Sequence, residues 1–369
     1  MTGTCKEDKR HRRPLLILGG LVLLLVGVLA YIVLFHDGPP PEDAHLMPTW
    51  SERGGNANPL AVFCKSLVGS SIKDWGKLPY ESRRLDEKPT PEVRKFVAAH
   101  AAEIASFESL MLTDPNTWQW PDAEGAGKYE DPYTDRGASE CDAMSLVLWS
   151  KALQLSEDGN TQEAIALCLR SARGADGLLG AEGGCIHLLV AQNFQHRSLR
   201  ALQNVLHADA VSSAMLRDAL LQLGTLKGPQ TELFKKALKV DYAWMKDGTG
   251  NLSGRDLQAI GSLPRALRFL APGYFKRNQT LNSRVQLDAP LMRALDQDWK
   301  SACSAMDARE AEVDDMYAPK SLACFMDPNF IGRSSVFYDL ALPRIGHHWN
   351  KREELMLLLA LRLHELEHG

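Results

Sequence analysis

Apolar positions fall into three patterns along this chain. From Pro14 to Phe35 they are continuous, PLLILGGLVLLLVGVLAYIVLF, with no charged residue. From Asn56 onward most recur three and four residues apart, the spacing of helices with one buried face. Between the helical stretches lie irregular segments rich in proline, glycine and aromatic residues. The fold class that follows is all-α: one N-terminal transmembrane helix and an irregular stack of helical hairpins.

The continuous run comes first because it decides where the rest resides. At about 1.5 Å per helical residue it crosses a hydrocarbon core of about 30 Å. Lys6, Lys9, Arg10, Arg12 and Arg13 precede it against Glu7 and Asp8, whereas no lysine or arginine follows until Arg53. That asymmetry places segment 1–13 in the cytoplasm, the span at 14–35 in the membrane and the body outside. A cleaved signal peptide is the competitor, with Val28-Leu29-Ala30 as cleavage sequence, but the apolar run continues past Ala30. A spacer at 36–55, stiffened by Gly38-Pro-Pro-Pro41, is expected to lead the chain off the bilayer to a helical ectodomain at 56–369.

Within the ectodomain, Asn58-Pro59 reads as a turn or cap before a short helix carrying Leu60, Val62, Phe63 and Leu67. A long helix is expected over Pro91 to Met111, opened by proline and with Glu92 in its first turn. The stretch from Asp114 to Gly137 breaks the period. Its Trp118, Trp120, Tyr129 and Tyr133 cover a hydrophobic surface in the preferred reading, and line a carbohydrate or peptide groove in the other.

Helical spacing resumes at Ala138, pauses at Glu157-Asp-Gly-Asn160 and continues to Leu178. This is an antiparallel hairpin at 138–178, resembling a tetratricopeptide unit with small Ala164 at the close approach. Further helices are expected over Cys185–Leu206, Ser212–Leu223, Gln230–Lys246 and Ser253–Phe269. The first of these is apolar on more than one side, as a central helix should be. Lys276 to Arg284 reads as a loop or an extended linker, and the acidic Arg309 to Asp315 as the solvated face and turn of a helix or as part of a loosely structured arm from Asp307 to Asn329. The last helix is expected to begin near Trp349, capped by Asn350, with Leu355 to Leu361 as buried core too short to cross a membrane.

A net charge of −4 offers no basis for nucleic-acid binding. Of seven cysteines, Cys5 falls on the cytoplasmic side, and Cys64, Cys141, Cys168, Cys185, Cys303 and Cys324 in the body, where one or two bridges among buried thiols are expected. Asn251-Leu-Ser253 and Asn278-Gln-Thr280 are glycosylation acceptors in a host that glycosylates. His187 and His196, nine residues apart with no acidic partner one turn away, read as packing histidines.

One stretch has the pattern of catalysis. His364-Glu365-Leu366-Glu367-His368 satisfies H-E-x-x-H, which on a helix places two imidazoles one turn apart for zinc, with Glu365 as general base. A third ligand must come from upstream, from His347, His348 or Glu354, because the chain ends at Gly369. Histidines near a helix C-terminus also serve simply by complementing its dipole, and this is the preferred reading, with no catalytic residue and no cofactor. Walker, dinucleotide and G-x-S-x-G motifs are absent.

NANPLAVF at Asn56 to Phe63, LSEDGNTQEAIALCLRSAR at Leu155 to Arg173, NFIGR at Asn329 to Arg333, LALP at Leu340 to Pro343 and LALRLHELEHG at Leu359 to Gly369 occur in an order that resembles a group of membrane-anchored helical proteins of planctomycete bacteria. The resemblance implies an anchor, a Pro-rich spacer and a tetratricopeptide-like middle. It aligns His368-Gly369 with a family histidine and glycine, making H-E-x-x-H the product of one substitution at His364, and it supplies no catalytic residues. Since a C-terminal region usually follows this point in the group, it further implies either a shortened member or an incomplete gene product; it also implies, as the place of the anchor, a bacterial inner membrane. The expected role is a noncatalytic interaction or scaffold protein of the cell envelope. Its partners are the bilayer, through residues 14–35, and a protein or peptide.

Overall fold

The computed structural model describes residues 18–28, 31, 37–49, 58–67, 69–78, 88–121, 137–207, 211–226, 231–251, 276–317 and 337–368. Contacts divide the chain into two units: residues 1–42, 252–286 and 314–334, and residues 43–251, 287–313 and 335–369. The described residues are helical apart from turns and one isolated parallel bridge between Gln119 and Glu182. The all-α expectation therefore holds for them.

The larger unit contains α1 Pro59–Leu67, α2 Pro91–Ala99, α3 Ala101–Leu110, α4 Ala138–Glu157, α5 Thr161–Gly180, α6 Cys185–Leu206, α7 Ser213–Gly224 and α8 Thr231–Asn251. Helix α9, Arg277–Leu295, starts in the smaller unit and ends in the larger. It is followed by α10 Trp299–Tyr317 and α11 Phe337–His368.

The hairpin of α4 and α5 forms where the sequence puts it. Gly159 takes φ +80°, and the Asn160 N–H reaches back to the Leu155 carbonyl at 2.8 Å, which closes the helix in the left-handed way that glycine permits. Ala164 is fully buried. Helix α6 packs against this hairpin and shares two cores. Ala191, Phe194, Leu199 and Leu202 enter the core made with α1 to α5, α7 and α11, while Cys185, Leu188 and Leu189 enter a second with α8, α9 and α10. It is the central helix that its two-sided apolar pattern predicts. Its first turn is capped from a distance, the Asp241 carboxylate of α8 accepting the Cys185 N–H at 3.2 Å.

The aromatic segment is structural where it is described. Trp118 and Trp120 are fully buried. Trp118 donates from Nε1 to Thr113 Oγ1 at 2.8 Å and lies so close to Gly177 of α5 that a Cβ there would fall 2.6 Å from its ring. Phe107 meets Gly174, one turn earlier, in the same way, and Trp120 meets Gly183. Asn58 fixes the segment's path: its side chain donates to the Gln119 carbonyl at 2.5 Å and accepts the Gln119 N–H at 3.1 Å, while also capping α1 through Ala61 at 3.3 Å. Tyr129 and Tyr133 lie outside the described residues.

Several expectations are corrected. The helix over 91–111 is two helices broken at His100, whose buried ring takes the Phe96 carbonyl at 2.8 Å and Ser71 Oγ at 3.1 Å. Its backbone N–H turns to the Val97 carbonyl instead, so the α-helical ladder ends there. The KRNQTLNSR loop is the first half of α9. Helix α11 begins at Phe337, so Asn350 lies inside it rather than capping it, despite Pro343 and Gly346. Of the leucine run, only Leu355 and Leu359 are core, whereas Leu357, Leu358 and Leu361 are exposed. The helix expected at 253–269 and the NFIGR segment lie outside the described residues.

Candidate functional site

Helix α11 offers two faces with different fates. Leu355 and Leu359 pack against α6 and α7, and the buried Arg352 donates from Nη1 to the Leu226 carbonyl at 2.9 Å. Burial pushes the Arg352 pKa below its ordinary value, with Glu353 and Asp176 acting in the opposite sense. Near the C-terminus Glu367 pairs with Arg217 of α7 at 2.6 Å. Together these contacts fix the helix by one side.

The other side carries Leu357, Leu361, His364 and His368, spaced four, three and four residues apart and thus one above the other. All four are exposed, with Leu357 at 63% and Leu361 at 54%, and Leu358, at 49%, widens the stripe. Sequence reasoning missed this face because a run of leucines does not say which of them meet neighbours. The signal was the period itself, since residues 355 and 359 share a side that 357 and 361 do not.

The two imidazoles of the H-E-x-x-H sequence stand together, with ring centroids 4.6 Å apart. Glu365 is exposed in the same turn. The upstream candidate Glu354 accepts from Lys351 at 2.8 Å, and the side chains of His347 and His348 lie outside the described positions. Among the described residues no group of three histidine, cysteine or carboxylate side chains is gathered for a metal ion. What the described arrangement provides is two ligands on an open helix face, one short of the usual protein set for catalytic zinc.

No family model, curated protein or solved structure matches this chain.

Several other chemistry-bearing residues among those described are held in the packing. Cys64, Cys141, Cys168, Cys185 and Cys303 are thiols, so the expected bridges do not occur among the described cysteines; the closest approach recorded, Cys64 to Cys141, leaves the sulfurs 4.0 Å apart. Burial pushes the Cys168 thiol up to about 12, which makes it inert as a nucleophile at neutral pH. His187 is buried against Trp120 and Trp244, its Nδ1 accepting the Gly184 N–H at 3.2 Å. Asn278 is a poor glycosylation acceptor: it sits in α9 with its amide donating to the Gly38 carbonyl at 3.0 Å, and Thr280 is fully buried.

The spacer after the apolar run is also engaged. Asp43 is buried and accepts from Tyr242 Oη and Lys246 Nζ of α8, both at 2.7 Å, and Leu46 is buried beside it. Burial alone would raise the Asp43 pKa, but the bonds from Lys246 and Tyr242 outweigh it and hold the carboxyl below its ordinary value. The proline-rich segment turns at Gly38, with φ +72°, and the Gly38 and Pro39 carbonyls accept from Asn278 and Asn282 of α9, both at 3.0 Å, so this part of the spacer is fastened rather than free. Of the apolar run, residues 18–28 are described and helical, with Leu18, Leu21 to Leu25 and Val26 all more than half exposed. Among the described residues no helix is long and apolar enough to cross a membrane.

Proposed function

We propose that this chain is a membrane-anchored, noncatalytic interaction or scaffold protein of a bacterial cell envelope. Residues 14–35 hold it in the inner membrane with the N-terminus cytoplasmic, and the helical body binds another protein or peptide outside. The observation that carries the reading is the leucine stripe of α11, an apolar face on a helix whose opposite side is already satisfied by the core. Contiguous exposed apolar surface on an otherwise well-packed protein marks a place where something binds. A stack of hairpins presents such faces in series. The support for the anchor is the uncharged 14–35 run, its flanking charges and the exposed apolar helix at 18–28. The kinship with the planctomycete group remains part of this proposal and rests on the segments that resemble it.

In-cell crosslinking followed by mass spectrometry tests the role. A partner captured reproducibly, and lost when the body is deleted behind the anchor, is the expected result; no adduct under any growth condition contradicts it. The zinc-hydrolase alternative draws on the 4.6 Å pairing of His364 with His368. It predicts stoichiometric zinc in the purified protein and a hydrolytic activity abolished by Glu365→Gln.

A further inference from the structure

The open side of α11 has the period of a coiled-coil seam. Asn350, Glu354, Leu357, Leu361, His364 and His368 follow one another at intervals of four, three, four, three and four residues, and every one of them is exposed. An average spacing of about 3.5 residues is the repeat that keeps one line of side chains facing a second helix, each seated in a hole on the other. The line runs opposite Arg352, Leu355 and Leu359, which hold the helix to its own body. The seam is therefore folded before anything docks, and a partner need not supply the cost of ordering it.

The order of polar and apolar residues along the seam says what fits it. Two leucines stand at the centre, with a carboxylate and an amide toward the N-terminal end and two imidazoles toward the C-terminal end. A second α11 laid antiparallel sets Leu357 against Leu361 twice, Glu354 against His364 and Asn350 against His368. Apolar then meets apolar, and imidazole N–H donors meet oxygen acceptors. On one flank Leu358 meets its own copy across the twofold axis, and Lys351, which is 2.8 Å from Glu354 of its own helix, meets Glu365. On the other flank the small Ala360 meets Ala360. Glu353 meets Glu367 there, but each already has an arginine of its own, Arg352 at 3.9 Å and Arg217 at 2.6 Å. A parallel pair sets Glu354 on Glu354 and His368 on His368, and an antiparallel pair shifted by a heptad sets leucines on Glu354 and Asn350 or on the histidines. One orientation in one register matches.

We propose that α11 is a self-association element, through whose 350–368 seam two copies of this chain pair antiparallel as a twofold dimer. The proposal rests on the leucine stripe being a docking face and names its occupant, a second copy. Because each helix is held by its own body, the protomer stays folded when the pairing is lost.

The test uses two full-length copies with different affinity tags, expressed together in cells, with a photo-crosslinking amino acid at position 361 of one. The expected result is an adduct carrying both tags, joined at a peptide that includes position 357 of the other copy. Charge exchange on the flank then reads the orientation. Lys351→Glu on both copies, or Glu365→Lys on both, places like charges opposite each other at both ends of the pair and should lower the two-tag yield about tenfold. One variant on each copy makes both pairs complementary again and should restore the yield, which also shows that the variant chains are folded. A two-tag yield indifferent to these exchanges, or one lost without recovery in the mixture, overturns the proposed pairing. An adduct only to a foreign protein overturns self-association and leaves the docking face standing. No adduct of any kind overturns both.

Discussion

Helices α6 and α11 are both leucine-rich, yet they use their leucines differently. In α6, Leu188, Leu189, Leu199, Leu202 and Leu206 are all buried, divided between two cores. In α11, Leu355 and Leu359 are buried while Leu357, Leu358, Leu361 and Leu366 are about half exposed or more. Composition does not separate the two helices, but the number of neighbouring elements does. Helix α6 packs against α4, α5, α8 and α11, whereas α11 has α6 and α7 on one side. A helix at the end of a stack keeps an apolar face open, and that is where recognition can occur without disturbing the fold.

The sharpest way to break this contrast is to empty the centre. Phe194 is fully buried in α6 and stacks on Phe107 with centroids 5.6 Å apart. Phe194→Ala should lower unfolding free energy by about 3–5 kcal/mol in a denaturant titration. A smaller loss is expected at the aromatic sockets. Gly177→Ala should gain about 1 kcal/mol of helix propensity, but the Cβ meets the fixed Trp118 ring, and a net destabilisation of about 1–2 kcal/mol should remain. A variant as stable as the parent would mean that the ring has room to move.

Asp43 gives an effect of similar size that depends on pH. Its folded pKa is depressed, so the stability it contributes is present above the unfolded value near 3.9 and is lost as pH falls through the folded value. Asp43→Asn should cost about 1–3 kcal/mol at neutral pH, and the gap from the parent should narrow below about pH 4. Thermal melts across that range check the sign. The smallest effect on stability belongs to the open face: Leu357→Glu and Leu361→Glu should each change it by less than about 0.5 kcal/mol. A large loss at either site would place it in the core and dissolve the contrast between α6 and α11.

What the chain revealed in advance depended on how local the cause was. The α4–α5 hairpin was legible because Gly159-Asn160 supplies its own closure, and α7 because Ser212 caps it directly, accepting from Met215 at 3.3 Å. Helix α9 was read as a loop because its cap, Asp37, lies 241 residues from Asn278 in sequence. The break at His100 depends on a side chain choosing a carbonyl that the helix would otherwise use. In the H-E-x-x-H stretch the one-turn spacing of His364 and His368 was readable, but whether a third ligand joins them is a question of tertiary placement that no spacing answers. Likewise, the leucine run announced a helix without saying that half of it would face outward.

The most direct test of the interaction reading compares two positions two residues apart. A photo-crosslinking amino acid at position 361, on the open face, and another at position 359, in the core, are introduced separately into the full-length protein in cells. The account predicts a reproducible protein adduct from 361 that disappears with Leu357→Glu, and only internal crosslinks from 359. Equal silence at both positions, in cells where the protein is folded and abundant, would contradict it.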